Sequence, residues 1–271
     1  MRWYFLLSLI LIVSFELTAQ ESGVYEPKIA YSEKGMKFLA VYLVKYTSSD
    51  GIYGVFLDRR GIPGLPVTIS KVTVGKSAVA YSASKDIFFV PYHYCTNACT
   101  LEGQIVYPDR NVLDTPVQIA VNTYGYGDIV AAADDGAEKF IVLWMDNRNR
   151  STPQIFGRFV NFDGTVPNQE VLIIKNASTV SGFDLVRDTV NKRYLFVYSA
   201  SDVNGYSVFA QVINDDLTLD RTVKVATSND YNCRVSVTYG KNERLFFLAY
   251  TDYQVGVNSY NIKALALDEN L

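Results

Sequence analysis

The residues of this chain best suited to chemistry sit in two recurring kinds of loop. Asp50, Asp146, Asp202 and Asp252 each follow an aromatic-rich run, and Arg148 and Arg150 accompany the second of them. A second set of loops carries Tyr124, Tyr126, Asn229, Asp230 and Tyr231. Aromatic rings beside hydrogen-bonding groups suit carbohydrate. Two carboxyl groups about 5–9.5 Å apart suit glycoside hydrolysis. The plainer reading is that loop aspartates cap turns, and that Asp146 pairs with Arg148 to stiffen its loop. The expected ligand-binding set is therefore Asp146, Arg148, Asp202, Asp252, Tyr124, Tyr126 and Tyr231. Asp134-Asp135 and Asp215-Asp216 fall in other turns and read as turn formers.

Other chemistry finds little support. His93 is the single histidine, which excludes multi-histidine zinc sites and leaves a Ser-His-Asp arrangement with one possible centre. There is no glycine-rich phosphate loop, no Gly-x-Ser-x-Gly and no Asp-x-Asp-x-Asp-Gly calcium loop. The sialidase-type Asp-box is also missing. No metal or cofactor is expected. The net charge is −3 with no basic stretch, which argues against nucleic acid as a partner. Cys95 and Cys99 bracket a Thr-Asn-Ala loop and read as a local disulfide, with Cys233 left over.

The elements that must position these loops repeat. Five segments share an aromatic, three mostly apolar residues and a second aromatic: Phe38/Tyr42, Phe88/Tyr92, Phe140/Trp144, Tyr194/Tyr198 and Phe246/Tyr250. The second aromatics are 50, 52, 54 and 52 residues apart. An apolar residue precedes each by thirteen positions (Ile29, Val79, Ala131, Leu185, Val237), and a small one follows (Gly54, Gly103, Gly157, Ala210, Ala264). Four copies continue to a β-branched run: Val67-Thr-Ile69, Val117-Gln-Ile119, Val171-Leu-Ile173 and Val223-Lys-Val225. Each repeat thus holds four strand-like runs, which in the first copy span 29–33, 37–45, 51–58 and 66–70. The second run is apolar throughout, as a strand covered on both faces would be.

Four short strands per unit of about 50 residues describe a β-propeller blade. A lone blade cannot bury both faces, and blades set around an axis can. A β-sandwich and a β-solenoid are the competing readings, and the length of the period favours the propeller. The expected fold is all-β, with about five visible four-stranded blades. The repeats run over about 28–73, 74–122, 123–178, 179–227 and 228–271. The last stops after its third strand, and seven residues before the first repeat are too few to supply a good closing strand. The reading favours a longer chain carrying further blades.

Residues 1–20 read as a signal peptide: Arg2, then an apolar run from Trp3 to Phe15, too short to span a bilayer. Residues 21–271 form the propeller domain, expected to be secreted, periplasmic or at the cell surface. In a eukaryotic secretory route Asn149 and Asn176 would be glycosylation acceptors.

Trp144-Met-Asp146-Asn-Arg148, Ile155-Phe-Gly157-Arg158-Phe-Val160 and Asp163-Gly164 resemble the repeat of secreted, mostly bacterial β-propeller proteins. Those units read roughly Trp-x-Asp-x-Arg, Ile-Tyr-Gly-x-Arg-Val, Asp-Gly. The first copy keeps Ile52-Tyr53-Gly54 and the fifth Tyr250-Thr-Asp252, so the likeness is specific in the third repeat. It implies fold and secretion. From these observations a non-catalytic binding or adhesion module is expected, for a glycan or an extracellular protein. The alternatives are a propeller glycoside hydrolase using loop aspartates and a structural envelope protein.

Overall fold

A computed structural model describes residues 23–45, 50–71, 74–95, 99–113, 115–124, 127–148, 152–202, 205–254, 256 and 258–271. The leader at 1–20, Tyr126, Arg150 and the acceptor Asn149 lie outside these residues, as does the side chain of Asp202. Every regular element described is a β-strand, and no helix among the described residues is long and apolar enough to cross a membrane.

The strands form a five-bladed β-propeller, each blade a sheet of consecutive antiparallel strands. Blade one holds β1 (Gly23–Ser32), β2 (Lys37–Lys45), β3 (Gly51–Leu57) and β4 (Val67–Ser70). Blade two opens with an interrupted strand, β5 (Val74–Ser77) and β6 (Ala80–Ser82), both pairing β7 (Ile87–Cys95), then β8 (Cys99–Val106) and β9 (Val117–Thr123). Blade three holds β10 (Ile129–Asp134), β11 (Lys139–Asp146), β12 (Gln154–Asn161) and β13 (Val171–Ile174). Blade four holds β14 (Val180–Asp188), β15 (Arg193–Asp202), β16 (Gly205–Ile213) and β17 (Leu219–Ser228). Blade five has three described strands, β18 (Val235–Gly240), β19 (Leu245–Gln254) and β20 (Ser259–Asp268). The innermost strands β1, β5/β6, β10, β14 and β18 follow one another around the axis in chain order.

Strand β1 starts earlier than the sequence pattern suggests. Residues 23–25, within the stretch expected as a lead-in, already pair with β2, and a bulge at Glu26-Pro27 separates the two halves of the pairing. Three residues are too short a run to show a period, and Pro27 reads as a break in a strand pattern.

The repeat owes its core to the aromatic frame. Leu39, Val41 and Ile52 of blade one pack on Phe88, Val90 and Tyr92 of blade two. Phe89 and Leu101 then meet Phe140, Val142 and Trp144, with the Phe89 and Phe140 rings stacked at 4.9 Å. Leu143 and Ile155 meet Tyr194 and Phe196, and Leu195 and Val208 meet Phe246, Leu248 and Tyr250. Four apolar seams thus join five blades. In blades two to five the frame aromatics and the residue midway between them face the preceding blade, and in blades one to four the residues flanking that midpoint, such as Leu39 and Val41 or Ile141 and Leu143, face the next, so a continuous apolar run is needed on the second strand.

The hairpins between first and second strands share one backbone device. Met36, Asp86, Glu138, Lys192 and Arg244 all have φ between 49° and 56°. Each lies two positions before the first aromatic of its frame. None is glycine, so no sequence signal marks this left-handed turn.

The small residue of the third strand answers to packing. A Cβ on Gly103 would lie 2.3 Å from Cζ of Phe89, and one on Gly157 would lie 2.7 Å from Leu143. Phe89 is fully buried and stacked, so its ring cannot swing clear. Gly103→Ala is expected to lower stability by about 1–3 kcal/mol, read as a reduced urea midpoint at unchanged slope.

On the end where first strands turn into second strands, Arg187 is buried between blades three and four. It pairs with Asp134 at 2.8 Å and with Asp215, and its guanidinium lies over the Tyr194 ring at 4.4 Å. Asp134 also caps its own turn through the Gly136 amide at 3.2 Å. These aspartates do more than form turns, because they neutralise a buried cation between blades.

Candidate active site at the ring axis

Two of the loop aspartates, Asp146 and Asp252, are clamps within their own blades. Asp146 is 2% exposed. It accepts hydrogen bonds from the Tyr124 amide at 3.0 Å, the Arg148 amide at 2.8 Å and Arg148 Nε at 2.7 Å, and from Trp144 Nε1 at 3.4 Å. Arg148 runs on to Glu170 at 2.7 Å and covers the Phe156 ring. Asp252 is buried in the same way in blade five. It accepts from the Asn229 amide at 2.8 Å and pairs with Lys263 at 2.6 Å. Both carboxylates tie the loop after the second strand to the connection that precedes the blade. Tyr124 and Tyr231 are exposed on those connections. Cys95 and Cys99 are joined by a disulfide across the base of their loop, and Cys233 is free and buried.

His93 is buried between blades two and three. Burial pushes its imidazole down from 6.5 to about 4, against the opposing charge of Asp146. The folded value lies below the unfolded one, so the unfolded chain binds more protons between them. The associated stability is complete above about pH 6.5 and is lost as pH falls toward 4. Wild type is expected to lose roughly 3 kcal/mol more than His93→Leu between pH 7 and 4. Parallel denaturant melts of the two proteins check this, and equal losses would refute it.

Charge converges instead on the axis. The first strands begin on the same end of the ring as the tyrosine-bearing connections. At that end Glu26, Lys28, Lys76, Asp128 and Arg234 line a shallow pocket closed by Pro27, Ile129, Gly182 and Phe183. Lys76 bonds the Glu26 carboxylate and lies 3.3 Å from Asp128. Arg234 approaches Asp128 at 3.5 Å. One ammonium shared by both carboxylates brings Glu26 and Asp128 together at the same pocket. Below them, Asp184 accepts from the Val237 amide at 2.9 Å and from Ser236 Oγ at 3.1 Å, linking β14 to β18. Burial raises the Asp184 carboxyl above the usual range, and Lys28 partly offsets this.

Backbone strain aims one of these groups. Glu26 has φ 53° and precedes a proline, a placement that sterics disfavour twice over. The bulge turns its side chain out of the β1 ladder toward the axis.

The pocket residues share one repeat position. Glu26, Lys76, Asp128, Gly182 and Arg234 each lie sixteen residues before the second aromatic of their frame. Four of the five are charged, with alternating sign around the ring. The fifth is Gly182, where a Cβ would lie 2.9 Å from the Cys233 carbonyl oxygen of the neighbouring blade. The signal was present in the spacing, but it resides in residue types that no apolar template scores.

No family model and no curated protein matches the sequence. Solved structures do match. An endo-arabinase from Bacteroides thetaiotaomicron superposes with a TM-score of 0.54 at 12% identity, over 89% of this chain and 92% of that one. The catalytic domain of a GH62 α-L-arabinofuranosidase from Coprinopsis cinerea gives 0.53 at 9%, over 92% and 91%. A GH43 β-1,3-galactosidase gives 0.55 at 10%, over 90% and 91%. These likenesses establish the fold.

They also correct an expectation. The chain was expected to be a non-catalytic binding or adhesion module, yet the propellers it resembles are described as glycoside hydrolases. The physical reason for the misreading is the position of the charge. On the rim Asp146 and Asp252 are buried clamps, and the charged groups that converge lie instead at the axis.

Proposed function

We propose that this protein is a propeller glycoside hydrolase whose reacting groups are Glu26 and Asp128. The observation that carries the reading is the convergence of these two carboxylates on Lys76 in a pocket at the ring axis. The hydrolase descriptions of its structural neighbours support it.

The roles follow from the charges each group faces. Asp128 meets two cations, Lys76 and Arg234, and is assigned the carboxylate that stabilises positive charge at the anomeric carbon. Glu26 meets one cation and is assigned proton transfer to the leaving oxygen as the C–O bond breaks; water then completes hydrolysis. Lys76 and Arg234 are suited to hold sugar hydroxyls once a substrate has displaced their contacts. Tyr124 and Tyr231, exposed on the connections that enter blades three and five, offer rings for stacking on sugar. The disulfide and the leader pattern favour an extracytoplasmic site of action.

The test is a panel of 4-nitrophenyl α-L-arabinofuranoside, β-D-xyloside and β-D-galactoside, with arabinan, xylan and galactan followed by reducing-end release. Turnover of at least one is expected. No turnover of any substrate would remove the reading, as would turnover that survives in the Glu26→Gln, Asp128→Asn double variant.

A further inference from the structure

The axial pocket carries more positive charge than its carboxylates use. Glu26 and Asp128 supply two negative charges, and Lys28, Lys76 and Arg234 supply three positive ones, a surplus of one (3 − 2). The chain as a whole has a net charge of −3, so the surplus is local to this end of the axis. Asp184 does little to cancel it. That carboxyl lies beneath the pocket and is committed to the Val237 amide and Ser236 Oγ, and burial disfavours its ionised form.

The three cations are not equally engaged. Lys76 is held between the two carboxylates. Lys28, two residues beyond Glu26 in β1, is exposed and forms no ion pair among the described residues. The Arg234 side chain is 56% exposed and meets Asp128 only at 3.5 Å, the outer limit of a hydrogen bond. Its backbone is nonetheless fixed. The Arg234 amide donates to Thr251 Oγ1 at 2.9 Å, and its carbonyl accepts from the Thr251 amide at 3.0 Å. Gly182 of the neighbouring blade makes room for this residue, since a Cβ there would lie 3.3 Å from Arg234 Cα and 3.5 Å from its Cδ. A guanidinium has five N–H donors, and one long contact leaves most of them open to the pocket.

A neutral sugar offers hydroxyls to such a group and leaves the surplus charge unbalanced. A carboxylate does more. Its two oxygens match the guanidinium fork, and hydrogen bonds between ionised partners are about twice as strong as neutral ones. We infer that the axial pocket prefers an acidic sugar: a hexuronide whose carboxylate is taken by Arg234, with Lys28 adding to the attraction. The inference rests on the axial pocket being where sugar binds, and it makes neutral glycosides the slower substrates of the proposed hydrolase.

The test separates binding from turnover. The probes are 4-nitrophenyl 1-thio-hexuronides of gluco and galacto configuration in both anomers, which resist hydrolysis. Each is titrated against the full chain beside the thio-hexoside that differs only in carrying a hydroxymethyl group for the carboxylate. At least one acid is expected to bind about tenfold or more tighter than its neutral partner, with a gap that narrows as salt is added. Arg234→Gln is expected to bring that pair within about twofold of each other, and Lys28→Gln to narrow the gap by less. Both side chains are exposed, so the two variants keep melting temperatures close to wild type. No acid binding better than its neutral partner would overturn the inference, as would a preference that survives in Arg234→Gln. Tighter binding of the matching 6-sulfate would also overturn it, because the favoured anion would then not be the planar carboxylate. The corresponding oxygen glycosides report on hydrolysis separately. Selective binding without turnover of any of them sustains the acidic-sugar site and removes the hydrolase reading, whereas turnover of neutral glycosides with no preference for the acid does the reverse.

Discussion

Glu26→Gln and Asp128→Asn are each expected to lower kcat by roughly 10²–10⁴-fold on whichever aryl glycoside the wild type cleaves. Both changes keep side-chain volume and remove only the charge or the exchangeable proton. Neither group is deeply buried: their side chains are 34% and 28% exposed. A salt bridge of that exposure contributes at most about 1 kcal/mol, so the melting temperature should stay within a few degrees of wild type. KM should change less than kcat, since the groups are assigned to bond breaking rather than to holding the sugar. Asp184→Asn separates these roles. Asp184 positions β14 against β18 through Val237 and Ser236, so its loss should lower stability before it lowers turnover. Full activity in Glu26→Gln with unchanged KM would show that the axial pair is a structural ion cluster.

The parts of this molecule that were legible in its sequence are those fixed by apolar packing. The frame Phe140 to Trp144 recurs because each blade must present aromatics to one neighbour and aliphatic residues to the other, and that demand repeats every 50 to 54 residues. Gly157 and its counterparts were visible for a related reason, since a Cβ there would collide with Leu143. The clamp formed by Asp146 and Arg148 was half legible. Their pairing follows from their spacing, but the Tyr124 amide that completes it comes from 22 residues upstream. The axial pocket was legible only in its spacing. Glu26, Lys76, Asp128 and Arg234 are single charges on four different blades, far apart in the chain. Only closure of the blades around the axis brings them together. Glu26 was hidden further, because it sits on a bulge next to Pro27 in a stretch that scores as a loop.

The other large effect concerns stability. Asp146→Ala is expected to destabilise the fold by roughly 3–5 kcal/mol, because it strips a buried charge network of its acceptor. The part-buried Tyr124 and Arg148 amides and the buried Trp144 Nε1 would each lose a partner, and the Arg148 guanidinium would keep only Glu170 as its ion-pair partner. At this chain size the melting temperature should fall by roughly 10 °C. Asp146→Asn keeps the shape and one acceptor oxygen, and should fall between the two. Asp252→Ala is the internal comparison. Its amide contact to Asn229 is equivalent, but its cation Lys263 is 51% exposed and can turn to solvent, so the loss should be smaller. Thermal melts of the four proteins decide the matter. A loss below about 1 kcal/mol in Asp146→Ala would mean that the carboxylate is not what holds the blade-three loop to Tyr124, and Asp146 would then return to consideration as a ligand-facing group.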